Sequence, residues 1–157
     1  MNLAHMHLLL NHISAVGLPV GLIFLVYGLV KKNTNVQRFS LIVLIALAAF
    51  IIPAYLTGEP AEELVENIPG VTKSLIHAHE EAAEASLSLT LFTEGLACAA
   101  LWTHFKGKWM RQASLAVVLM AFIATMSIAY TCSLGGQIRH SELRLNEVIL
   151  EENTHQE

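Results

Sequence analysis

Four apolar stretches, residues 8–30, 39–56, 82–105 and 113–134, occupy most of this 157-residue chain. Each is close to the roughly 20 residues that a helix needs to cross the hydrocarbon core of a bilayer. All but 82–105 lack Asp, Glu, Lys and Arg altogether. With 54% hydrophobic and 14% charged residues, the chain is too apolar for a soluble domain of its size. No segment alternates apolar and polar residues with period two, which argues against a transmembrane barrel. The expected fold is all-α: a four-transmembrane-helix bundle in residues 1–144 and a charged tail in 145–157. The first stretch reads as a retained helix, because it is too long for a signal-peptide core and no basic residue precedes it.

Basic residues set the expected orientation. Lys31, Lys32 and Arg38 follow the first stretch, and Lys106, Lys108 and Arg111 follow the third. Short basic loops stay in the cytoplasm, so both termini and the segment between spans two and three are expected on the non-cytoplasmic side. In a multi-pass protein of a bacterial inner membrane that side is the periplasm. The net charge is -4 and every acidic residue is Glu, so the lipid bilayer is an expected partner and a nucleic acid is not. Cys98 and Cys132 fall near opposite membrane faces and read as unpaired packing residues.

Polar residues gather at the non-cytoplasmic end. His5, His7 and His12 open the first span, Glu59 follows the second, His77, His79 and Glu80 precede the third, and His140 and Glu142 follow the fourth. His104 and His155 read as solvated or interfacial. Imidazole with carboxylate suits zinc, iron or copper, giving a metal set of His12, Glu59, His79, Glu80, His140 and Glu142. Haem b fits the same end, with His12, His79 and His140 as candidate ligands and Arg139 for a propionate. Both readings stay open. Either suits electron exchange with a quinone or a periplasmic electron-transfer protein. An accessory subunit in a larger membrane complex, or a homo-oligomer, is the alternative of another class.

A helix is expected to start near Thr72, after the chain break at "NIPG", and to run to Phe105. On it, His77, Glu80, Glu84, Leu87, Leu91 and Glu94 follow steps of three and four, which places them on one stripe. A carboxyl as deep as Glu94 is costly unless neutral, paired or hydrated, so Glu84 and Glu94 are candidates for a proton path. His77 and His79 lie about 200° apart around a helix, so only one of them points into the bundle. On the first span, Gly17 and Gly21 allow another helix close, and Pro19 is expected to bend the rod. Gly135 and Gly136 read as a flexible pair after the fourth span.

The segments "LLLNHISAVG", "PAYLTGEPAEE", "IHAHEEAAE" and "GGQIRHSE" together resemble a bacterial family of small four-helix integral membrane proteins of unknown function. The resemblance extends to Arg144 and covers Asn11, His12, Thr57, Gly58, Glu59, His79, Glu80, Gly135, Gly136, Arg139, His140 and Glu142. Domains related to that family occur beside Rieske and cytochrome c modules, so the resemblance implies redox work. The chain departs from the pattern at Ser14, where a proline is expected, and in carrying His5 and His77.

Overall fold

The computed structural model describes residues 3–66 and 68–140, and these form helices and turns with no strand among them. In order they are α1 (Leu3–Val30), α2 (Thr34–Ala46), α3 (Ala48–Leu56), the short α4 (Gly58–Glu62), α5 (Lys73–Lys106) and α6 (Met110–Arg139). α2 and α3 continue one another as a single apolar rod, Thr34–Leu56, so four helices are long and apolar enough to cross a membrane. Within that rod the ladder tightens at Leu47, whose N–H bonds Leu44 O at 3.1 Å while its own carbonyl accepts from Phe50. Residues 145–157, expected as a tail, lie outside the described residues, as does Glu142.

Local chemistry explains where the helices begin and turn. The Asn33 side chain accepts from the N–H groups of Asn35 and Val36, and the Thr72 hydroxyl accepts from Leu75 N–H, which caps α2 and α5 at their first turns. α5 ends on Gly107 at φ 69°, a left-handed position that glycine adopts without strain. α1 continues without interruption past Pro19.

Two expectations are corrected here. Gly135 and Gly136 are not a loop but belong to the last two turns of α6. Glycine there weakens the helix by about 1 kcal/mol relative to alanine, yet neighbouring α5 needs the room it leaves. His104 is not solvated: it is 2% exposed, with Nε2 3.1 Å from Ser114 Oγ.

The helices alternate in direction. α5 runs antiparallel to α6, and α1 antiparallel to α2 and α3; α1 also packs on α6, and α5 on α2 and α3. α1 and α5 therefore point the same way and face each other across the diagonal. One end of the bundle carries His7 and His79, and the other carries Lys31, Lys32, Arg38, Lys106 and Lys108. At that basic end Arg38 donates to His104 O at 3.1 Å and stands over the Phe105 ring.

Small residues bring α1 against its neighbour. A Cβ added at Gly21 would lie 2.7 Å from Leu44 Cδ2, and Gln37 Nε2 donates to Gly28 O at 3.0 Å, so the two backbones meet where no side chain intervenes. Leu18, Leu25, Leu41, Leu44, Ala97 and Val117 are sealed in the core. Val16, Ile23 and Phe24 of α1 and Leu119, Phe122 and Met126 of α6 are exposed, an apolar outer surface suited to lipid.

Candidate functional site

The histidine-bearing end is organised around His7 and His79, not around His12 and His140. His7 is half-buried; its Nδ1 lies 2.8 Å from Ala54 O, and Asn11 Nδ2 donates to its Nε2 at 2.7 Å. Only the tautomer protonated at Nδ1 satisfies both bonds, since a carbonyl can only accept and an amide nitrogen can only donate. His79 is also half-buried, with Nδ1 donating to Thr131 O at 3.1 Å. Its Nε2 lone pair is thereby left for another group. The two rings come from diagonal helices at the same end of the bundle.

The remaining candidates occupy different places. His12 is exposed, and its Nδ1 turns back to Leu8 O of its own helix at 2.6 Å. Five residues separate it from His7, a rotation of about 140°, so the two cannot both face the bundle axis. Arg139 and His140 are exposed at the end of α6. Glu59 is exposed on α4, and Glu80 is exposed on α5. His77 points outward and pairs with Glu80 and Glu81 at 3.8 and 3.5 Å, so of the two α5 histidines it is His79 that turns inward. Among the described residues, no three His, Cys, Asp or Glu side chains converge as a metal-ion site.

Glu62 and Glu80 share a hydrogen bond between α4 and α5. Burial, that bond, and the charges of Glu80, Glu66 and Glu59 together hold the Glu62 carboxyl above the usual carboxylate range.

The buried face of α5 runs through Ile76, Ser86, Thr90, Thr93, Glu94, Ala97, Ala100 and His104. It meets the stripe expected from sequence only at Glu94, for His77, Glu80, Glu84 and Leu91 are exposed. Ser86 Oγ bonds both Ser127 Oγ at 2.7 Å and Thr131 Oγ1 at 2.8 Å on α6. Glu94 is 5% exposed and neither of its oxygens has a hydrogen-bond partner.

His7 lies on a face that the sequence itself marks. Ser14, Leu18, Gly21, Leu25 and Gly28 form the buried face of α1 in steps of four and three, and extending the series backward reaches Asn11 and then His7. The same extension passes over His12.

No family model, curated protein or solved structure matches this chain.

Proposed function

We propose that the chain is a multi-pass membrane redox protein that binds haem b through His7 and His79, with its basic end in the cytoplasm. The observation that carries this reading is that both histidines donate Nδ1–H to a main-chain carbonyl on another helix. That arrangement fixes the tautomer in which Nε2 carries the lone pair, and ligating histidines are characteristically held this way. A metal ion bound by side chains alone wants three or four of them, and no such group converges among the described residues. Haem asks the protein for only two axial imidazoles, because the porphyrin supplies the other four nitrogens. The Asn11 amide occupies Nε2 of His7, so ligation requires that amide to turn away.

Bound there, haem would supply a one-electron couple at the surface opposite the basic loops, within reach of a quinone or a periplasmic electron-transfer protein. The residues of the chain hold and orient the two imidazoles and exclude water from one side of them. Arg139, exposed at the same end, is the cation available to a propionate.

The test is an oxidised-minus-reduced visible spectrum of detergent-purified protein, with elemental analysis of the same sample. Expected are a Soret band and sharp α and β bands on reduction, lost in both His7→Ala and His79→Ala. A featureless spectrum with bound zinc, iron or copper would replace haem by an ion. A featureless spectrum with no transition metal would overturn the redox reading and favour an accessory subunit of a larger membrane complex.

A further inference from the structure

Beyond His79 the α5 face that meets α6 stays polar for several turns. Thr131 carries the carbonyl that His79 bonds, and its own hydroxyl reaches Ala82 O at 2.9 Å and Ser86 Oγ at 2.8 Å. Ser86 passes the chain to Ser127. One turn deeper Thr90 is 1% exposed, and its hydroxyl has no partner. One turn deeper again is Glu94, with both oxygens unpartnered. From α1, across the diagonal, Ser14 adds another buried hydroxyl without a partner.

Past Glu94 the character changes. Ala97 and Ala100 continue the α5 face, and Leu25, Leu41 and Val117 pack in the same core, all at 0% exposure. Buried polar side chains therefore extend from the histidine-bearing end down to Glu94, hydrogen-bonded as far as Ser86 and Ser127 and unpartnered below, and an apolar layer lies beyond them.

No charged group compensates Glu94. On α5 the nearest inward-facing titratable residues are His79, about 22 Å above, and His104, about 15 Å below, at 1.5 Å per residue. The middle of α1, α2, α3 and α6 presents no Asp, Glu, Lys, Arg or His, and Tyr27, Tyr55, Tyr130 and Cys132 face outward. Arg38 is at the basic end with His104. An unpaired carboxylate at this depth is costly, whereas the neutral acid needs only one acceptor and can exchange its proton through hydroxyls, each of which both donates and accepts. Orphaned buried oxygens of this kind are the groups that buried water characteristically bonds.

We propose that Glu94 is a proton-exchanging carboxyl, reached only from the histidine-bearing end through Thr131, Ser127, Ser86 and Thr90, and sealed from the basic end by the apolar layer beyond it. Protonation takes one proton from water at the histidine-bearing end and converts the carboxylate to the acid; release returns it by the same route. No electron or co-reactant is involved. The proposal stands whether or not His7 and His79 hold haem. Glu84, expected from sequence to share the path, is exposed outside that route.

Infrared spectroscopy of the full chain in lipid nanodiscs tests this, using a pH jump and a jump into heavy water. Wild type should show a carboxylic C=O band that responds to pH and shifts on deuteration, absent in Glu94→Gln. Thr90→Val, which keeps the side-chain shape, and Ser86→Ala each remove a hydroxyl from the route and should each slow the deuterium shift about tenfold. Ala100→Ser, on the far side of the carboxyl, should leave the rate unchanged. A band that survives Glu94→Gln, ignores pH, or exchanges at the wild-type rate in Thr90→Val would overturn the proposal. Faster exchange in Ala100→Ser would overturn the one-sided access.

Discussion

Gly135 of α6 lies against His79 of α5 so closely that a single added Cβ would stand 3.0 Å from His79 Cε1 and 3.4 Å from Nδ1. The glycine sets how the imidazole is seated. Gly135→Ala should push the ring from its Thr131 bond and destabilise the protein by up to about 2 kcal/mol, an overpacking cost of about 1–3 kcal/mol less the roughly 1 kcal/mol of helix propensity regained. Thermal unfolding in detergent reads the loss, and the His79 ring resonance should shift. An unchanged melting temperature and an unchanged resonance would mean that the close approach constrains nothing.

His7 and His12 separate the interior histidine from the outward one. His7→Ala removes the bonds to Ala54 O and Asn11, leaving the Asn11 amide without its acceptor, and should cost about 1–3 kcal/mol besides abolishing the haem binding proposed above. His12→Ala removes a ring bonded only to its own helix and should change stability by less than about 0.5 kcal/mol. Paired melting curves and visible spectra check both. The reverse ranking would return the site to the assignment read from sequence.

The Glu62–Glu80 pair predicts a pH dependence with a definite sign. The folded-state pKa of Glu62 is raised, so the folded protein holds that proton more readily than the unfolded chain. The stabilisation is complete below the unfolded carboxylate range and disappears as pH rises through the raised value. Glu62→Gln, which resembles the protonated acid, should flatten this slope and leave the protein slightly more stable at neutral pH. Screening at a partly hydrated site limits the gain to at most about 0.5 kcal/mol. Melting temperatures measured across a pH series would show it; a slope unaltered by the substitution would assign it elsewhere.

Glu94 should oppose stability. Replacing it with Leu removes two buried oxygens that have no partner and nearly conserves volume, so Glu94→Leu should raise stability by about 1–3 kcal/mol. A substitution that strengthens the fold while abolishing proton exchange would identify the carboxyl as retained for function. Denaturant or thermal unfolding of the two proteins side by side supplies the measurement, and a destabilised Glu94→Leu would mean that the carboxyl is satisfied in the folded state.

The four spans, the Thr72 start of α5 and the close approach at Gly17 and Gly21 were all legible in the sequence, because length, capping chemistry and small-residue spacing are local properties. The inward face of α5 was not. In a soluble helix the apolar stripe marks the core, but in lipid both sides are apolar, and the buried positions are small or hydroxylated instead: Ser86, Thr90, Thr93, Ala97 and Ala100. A stripe drawn through charges therefore caught Glu94 and misplaced Glu84. His7 lies on the buried face that Ser14, Leu18, Gly21, Leu25 and Gly28 mark along α1, whereas its acceptor, the Ala54 carbonyl of α3, is a tertiary fact with no signature near it. Gly135 and Gly136 look like a loop until the ring of His79 is put beside them.

The glycine seam of α1 has a consequence for how this bundle responds to its surroundings. Lipid tails are as apolar as leucine, so no release of water drives α1 onto α2 within the bilayer. What remains there is dispersion, which fades steeply with separation. Stability along this seam should therefore be insensitive to changes of hydrophobicity that preserve shape and sensitive to any that add a methyl group at Gly21. For that helix pair, evolution would be selecting contour, and hydropathy would vary almost freely around it.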